Sequence, residues 1–582
     1  MTFTNLQTHN IAEPKSHVEH SIKGIKILFY HAGGTMSESW VYPAALQLKT
    51  YIDILYEDTA QHVQWMVPIQ QEINTKDLVT HILQNDVDVL CTSHYLWNHQ
   101  VLMQQIAEVK ILAPKITVIA GGPSIDVHSN ENFFRQYSYI DYAVYSAGEQ
   151  AFADIINHLV FDKPMIAFNT SNCAWKHPDS GHPVVADYKF VKMLNISPFI
   201  HNRKMFEIMV QDAKEKNLVV WLPYTLTRGC PYSCTFCDWN SGLGNKVSRR
   251  KDTYQQEIDL FQQVGLTNIY LSDANVGQYE EDVDMIEYFA QKNLNENAGF
   301  HVGGNFSKLK KENNLKIFNI MAAGRLVSKT LNFSVQDTNK QVLDNINRPD
   351  VGWDVHVSMA NELREKYPHL IVKAQLIYGL PGQTPATWRH TLEEVTHQNI
   401  FPMIFLNEPL PASPAMYDPK YQQQFEFEYI YSNRLSLHTP YLSKIPKKSK
   451  FFNQQDLVQM NVLSGIYIAL SFITLTLKEN NMPELNISAV VDELLQSVHY
   501  KNLCGNLYYN WTTHNNFYYT IDFSGQAVQT PDVSLGATLT FDLLFLKYIA
   551  TFLPPNDRLK FFCMVANGKF QKMANEIYSD VD

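Results

Sequence analysis

Three cysteines, Cys230, Cys234 and Cys237, lie in the segment Thr-Arg-Gly-Cys-Pro-Tyr-Ser-Cys-Thr-Phe-Cys-Asp-Trp. Their spacing is C-x3-C-x2-C, with Phe236 just before the last cysteine. Three thiolates at such spacing can hold three corners of a [4Fe–4S] cluster, which normally takes four cysteines. With no fourth cysteine nearby, one iron stays open to a small molecule. Zinc is the competing reading. A structural zinc takes four ligands, so a histidine distant in sequence would have to complete that site.

An element must present this loop. The apolar run Val219–Leu226 precedes it and reads as a strand. Further strands are read at Asn268–Leu271, Phe300–Gly304, Leu331–Val335, Leu370–Ile377 and Met403–Leu406, with helical segments between them. Examples are Tyr254–Gln263, Asp282–Gln291, Leu315–Ala322, Val355–Lys366 and Pro385–His397. About six β/α repeats result, fewer than the eight of a closed barrel, and the cysteines follow the first strand at the face where such barrels place their chemistry. A separate alternating series occupies the N-terminal part: Ile25–Tyr30, Val63–Val67, Val87–Thr92, Ile116–Ala120 and Tyr142–Tyr145 as strands, with helices around Pro43–Tyr51, Lys76–Leu83, Leu102–Val109 and from Gly148-Glu149 through Leu159. This pattern predicts a parallel doubly wound sheet, with ligands at the carboxyl ends of its strands. His31, Ser93 and Gly121-Gly122 fall at such ends.

The expected architecture is α/β in five parts: a polar extension (1–22), a Rossmann-like domain (23–160), an irregular connector (161–217), a partial (β/α)6 barrel (218–420) and an α+β cap (421–582). At 582 residues several cores are needed. The net charge of −11 argues against nucleic acid held by bulk electrostatics. Lys444, Lys447, Lys448 and Lys450 read as a solvated loop. Seven cysteines do not form a disulfide framework, and a reducing cytoplasm is expected. The N-terminus lacks the apolar core of a signal peptide. Val462–Leu477 is apolar but shorter than the roughly 20 residues of a membrane span, so it reads as a buried core helix, and no membrane partner is expected.

The cysteine segment resembles the motif of the radical S-adenosylmethionine (SAM) superfamily. That resemblance implies SAM chelated to the open iron and cleaved to a 5′-deoxyadenosyl radical, with Phe236 beside the adenine. Ser272-Asp273-Ala274-Asn275 stands at the second strand end, where the family has Gly-Gly-Glu-Pro. The resemblance assigns Ser272, Asp273 and Asn275, then Asn305 and Ser307 after the third strand and Gln336 after the fourth, to SAM. Leu376-Ile377-Tyr378-Gly379-Leu380-Pro381-Gly382 matches the fifth-strand glycine motif, which brings Gly379 to the adenine.

The N-terminal domain is similar to that of the cobalamin-binding subclass through Thr92-Ser93-His94-Tyr95-Leu96-Trp97-Asn98, Gly121-Gly122-Pro123 and Ala147-Gly148-Glu149. It implies cobalamin held by His31, Ser93, Trp97, Asn98, Gly121, Gly122, Gly148 and Glu149. His31 and Gly34 match the mutase-type Asp-x-His-x-x-Gly motif, but Phe29 replaces its aspartate. The resemblance therefore implies a histidine near the corrin, with cobalt lacking protein nitrogen. No catalytic residue is assigned beyond the cofactors. The implied reaction moves a methyl group from SAM, via methylcobalamin, to an unactivated carbon. Cys-Thr-Phe-Cys-Asp-Trp and Arg348 in Asn-Ile-Asn-Arg look most like enzymes that C-methylate ribosomal peptides, so a peptide or small-molecule natural-product intermediate is the expected substrate. A flavodoxin- or ferredoxin-type electron donor is the expected partner. Ring formation or rearrangement with the same cofactors, and a non-enzymatic cobalamin or iron–sulfur sensor, are the alternatives.

Overall fold

Two parallel-strand layers and a helical C-terminal part make up the structure, a computed structural model. It describes residues 22–33, 37–125, 127, 132–168, 170–239, 244–410, 413–435, 440–514, 520–521, 527–528, 543–570 and 572–573. Nearly all of the expected 1–22 extension, and Gly34 of the mutase-type comparison, lie outside the described residues.

The first layer is an eight-stranded sheet. Its order is Val63–Trp65, Ile25–Gly33, Val89–Ser93, Thr117–Gly121, Tyr142–Val144, Cys173–Lys176 and Pro183–Val185, with Ile69–Gln71 also on Ile25–Gly33. The first five of that order pair in parallel, as the alternating pattern predicts. The last two are antiparallel and come from the segment read as an irregular connector. Polar and glycine residues between Lys176 and Pro183 mask them: they form a tight hairpin closed by His177 N to His182 O at 2.8 Å. The same segment also supplies the helix Arg203–Glu215, whose buried face is Phe206, Met209, Val210 and Ala213.

The second layer carries the six predicted strands, observed at Val219–Tyr224, Asn268–Val276, His301–Phe306, Thr330–Gln336, Ile371–Tyr378 and Phe401–Leu406. The first three and the last three pair in parallel as two groups. The second strand runs past Leu271 to Val276 through a register shift, so Ser272–Asn275 lie within it. A three-residue strand absent from the sequence reading, Glu38–Trp40, leaves the first domain and pairs in parallel with Val219–Trp221. Trp40 stacks on Trp221 with ring centroids 5.6 Å apart.

The apolar segment Val462–Leu477 is part of the 26-residue helix Gln454–Glu479. It is the one described helix long and apolar enough to cross a membrane, and 89% of its apolar window is buried. Trp388 Nε1 donates to Ser464 Oγ at 3.0 Å, and Asn461 Nδ2 to Tyr378 Oη at 2.8 Å. Those bonds fix the helix against the barrel strand Ile371–Tyr378 and the helix Pro385–His397. An antiparallel hairpin, Glu428–Leu435 with Pro440–Lys448, precedes it, and further helices follow.

Candidate functional site

The cysteine loop is clamped at its base. Thr227 and Arg228 pair antiparallel with Arg249 and Ser248. Two nearly dry ion pairs anchor that clamp, Arg249–Asp282 at 2.7 Å and Arg250–Glu257 at 2.9 Å. Gly229 has φ +86°, and a Cβ there would stand 2.2 Å from the Lys246 carbonyl oxygen. Only glycine fits before Cys230. Past the clamp, Thr235 N donates to Ile346 O at 3.0 Å, and Ala415 N to Thr235 O at 2.8 Å.

All three cysteines line one pocket of about 150 Å³ at the carboxyl ends of the barrel strands, together with Phe236, Asn305 and Gln336. Among the described residues no three His, Cys, Asp or Glu side chains converge on a single ion. A zinc ion needs its ligands gathered around one point at about 2.3 Å for sulfur. Among the described residues no fourth cysteine and no histidine lines this pocket. Asn275 Nδ2 donates to Cys230 Sγ at 3.1 Å. Burial pushes the Cys237 thiol up to about 12, so binding iron there must release its proton.

Of the eight residues assigned to SAM, Phe236, Asn305 and Gln336 line the pocket. Phe236 packs beside Val342, Leu343, Ile346 and Leu380. Gln336, at φ +66°, has a buried Oε1 with no protein partner. That acceptor awaits a donor in the pocket. Asn275 reaches the site through Cys230. Asp273 supports the loop from beneath by accepting Leu226 N at 2.9 Å, and burial raises its carboxyl to about 6. Ser272 bonds its own strand, and Ser307 Oγ donates to Gln278 Oε1 at 3.3 Å. Gly379 packs against Leu457 and Pro446. Tyr232, Lys308, Ser334, Arg348 and Gln375 also line the pocket. Only Arg348 among these carried a sequence signal.

A second, larger cavity of about 570 Å³ opens at the carboxyl ends of the first sheet. Ser93, Trp97, Gly121, Gly122, Gly148 and Glu149 line it. Gly122, at φ +109°, would place a Cβ 2.5 Å from the His94 carbonyl oxygen, so two strand ends meet there without side chains between them. His31 and Asn98 do not line the cavity. His31 stacks on Tyr42, which does, at 4.8 Å between ring centroids. Burial lowers the His31 imidazole to about 4, so it is neutral at pH 7. Asn98 holds the rim, accepting Tyr95 N at 2.7 Å and donating to Ser93 O at 3.0 Å. Trp239 lines both cavities.

The family model described as the radical SAM superfamily matches residues 224–395, the span that carries the cysteine loop and its pocket. The match covers under a third of the chain. A domain of that family works with a [4Fe–4S] cluster and SAM, and the three thiols and the unpaired Gln336 acceptor fit that pair. The chain is 27% identical over 347 residues to the cobalamin-dependent radical SAM methyltransferase TokK of Streptomyces tokunonensis, covering 58% of this chain and 49% of that one. It is also 27% identical to the 2-(S-pantetheinyl)-carbapenam-3-carboxylate methyltransferase of Streptantibioticus cattleyicolor, covering 54% and 46%. The chain thus spans about half the length of these relatives. Two solved structures share the fold of this chain. The cobalamin-dependent radical enzyme OxsB, with aqua-cobalamin and SAM bound, aligns with a TM-score of 0.55 at 12% identity, covering 96% of this chain and 80% of that one. The methyltransferase TsrM from Kitasatospora setae aligns at 0.50 and 11%, covering 67% and 75%.

Proposed function

We propose that this chain is a cobalamin-dependent radical SAM C-methyltransferase acting on an unactivated carbon of a peptide or other natural-product intermediate. The observation that carries the reading is the position of Trp239: two residues after Cys237, it forms wall for both the cysteine pocket and the cavity of the first sheet. Two cavities that adjoin at one residue suit radical methyl transfer, in which two cofactors must work on one carbon. The names of both curated relatives support methyl transfer.

When bound, the cluster with SAM supplies a radical that removes hydrogen from carbon, and cobalamin supplies the methyl carrier. The protein's own part is placement and exclusion of water. Cys230, Cys234 and Cys237 hold the cluster; Phe236, Asn305 and Gln336 face SAM. Gly121, Gly122 and Gly148 give cobalamin close approach to the sheet, and Phe29, Tyr42, Leu96 and Phe152 make the cavity wall apolar. On this reading 23–160, completed by the strands Cys173–Lys176 and Pro183–Val185, is the cobalamin domain, 218–420 the radical domain and 421–582 a substrate-facing cap. A flavodoxin- or ferredoxin-type protein supplies electrons.

The test is anaerobic incubation of the reconstituted protein with cobalamin, a low-potential reductant, a panel of peptide and natural-product acceptors, and SAM labelled with deuterium in its methyl group. The expected products are 5′-deoxyadenosine, S-adenosylhomocysteine and a substrate gaining the labelled methyl. Deoxyadenosine with an unlabelled product would point to cyclisation or rearrangement; neither nucleoside product would leave only a sensor. Cys234→Ala is expected to lose iron by chemical assay while the visible spectrum of bound cobalamin persists.

A further inference from the structure

A buried cation needs a counter-charge, and among the described residues Arg348 has only the longer-range field of Asp350, with no direct ion pair. Its side chain is buried, and burial lowers its proton affinity below the ordinary arginine value. It donates from Nη2 to the Ser334 carbonyl and shares the pocket wall with Cys234. Its Nε has no partner. Asp350, the carboxylate two residues on, accepts His356 Nε2 and Gly352 N on Oδ1, each at 2.9 Å, and acts on Arg348 only through its field. Across the same pocket Lys308 Nζ stands 3.9 Å from Cys230 Sγ and 2.8 Å from Asn275 Oδ1. Among the described residues neither cation makes an ion pair at salt-bridge distance.

Leaving a cation unpaired in a dry pocket costs several kcal/mol. Negative charge that arrives with whatever fills the pocket gives both cations a closer partner. Thiolates bound to iron bring it, and each electron delivered adds more. A fixed cation beside those sulfurs favours the reduced form over the oxidised one, and hydrogen bonds to cluster sulfurs act in the same direction.

We propose that Arg348 and Lys308 are positioning residues that act through Cys234 and Cys230 to raise the reduction potential of the iron–sulfur cluster held there. The inference rests on the cluster reading above. The electron comes from the one-electron donor, and the cluster alone is reduced. Arg348 sets the charge beside one sulfur; Lys308, through its own approach and through Asn275, sets it beside another.

The experiment is a redox titration of the reconstituted full chain, followed by electron paramagnetic resonance without SAM. Arg348→Gln and Lys308→Gln are expected to keep their iron. The ratio of reduced to oxidised cluster at a fixed potential should fall about tenfold in Arg348→Gln, about 59 mV for one electron. A smaller fall in the same direction is expected for Lys308→Gln, and Arg348→Lys should recover most of the loss. Iron-replete glutamine variants with unchanged midpoints overturn this inference alone. A wild-type chain that binds no iron overturns the cluster reading with it. Should Arg348→Gln fail to hold iron, Lys308→Gln decides by the same criterion.

Discussion

Asp273 shows how one side chain can serve the site without facing it. Its carboxyl accepts the backbone N–H of Leu226, so it sets the direction of the chain leading to the cysteines. Burial raises its folded-state value from 3.8 to about 6. The folded protein therefore holds this proton more tightly than the unfolded chain. The resulting stabilisation is full below about pH 4, and it is lost as pH rises toward 6. The expected size is on the order of 3 kcal/mol. Thermal unfolding between pH 4 and 7 checks this: Asp273→Asn should remove that share of the pH slope, and an unchanged slope would assign it to other groups. At this scale the sequence was partly readable. The cysteines and Phe236 announce themselves by spacing and type. Lys308, Ser334 and Gln375 do not, because the pocket gathers them from three different strand ends and nothing local marks them. Asp273 stands on its strand and Ser307 just past the end of the next, yet both bond the supporting structure.

Among elements, the joint between the helix Glu149–Phe161 and the strand Thr227–Arg228 bears most directly on the site. Arg228 forks onto Glu149, with Nη1 at 3.0 Å from Oε2 and Nη2 bonded to Oε1. Both side chains are mostly buried. Glu149 opens its helix, where a carboxylate also meets the positive end of the helix dipole. The pair joins the wall of the larger cavity to the residue two before Cys230. A double-mutant cycle with Glu149→Gln and Arg228→Gln should give a coupling of about 1–3 kcal/mol in denaturant unfolding; additive effects would show that the two elements are joined elsewhere. The sequence marked Glu149 for cobalamin. Its partner was invisible there, since Arg228 lies 79 positions away. The barrel strands were legible because each is an apolar run between helical periods. Cys173–Lys176 and Pro183–Val185 were not, because each is short and a polar turn separates them.

For the whole molecule, the two layers are not beads on a linker. The chain crosses between them through Glu38–Trp40 before the first domain is finished, and again through the segment that ends at Val219. A fragment beginning at residue 218 would expose the edge of Val219–Tyr224 that Glu38–Trp40 normally covers. Exposed edges invite intermolecular pairing. Such a fragment is expected to aggregate, and co-expression with residues 1–217 should recover soluble material by size-exclusion chromatography. A monodisperse isolated fragment would show that the edge needs no cover. A three-residue strand with two polar members leaves no periodic trace in sequence, which is why this crossing escaped the reading of two successive domains.

That strand also imposes a timetable. Glu38–Trp40 leaves the ribosome early, and its partner Val219–Trp221 follows only after the whole first sheet has been made. At about 5–20 residues per second the interval is roughly ten to forty seconds. Through that interval Trp40 lacks the indole on which it will stack. The nascent chain thus carries an unclaimed aromatic strand while its first domain takes shape, and chaperones are most useful in that interval.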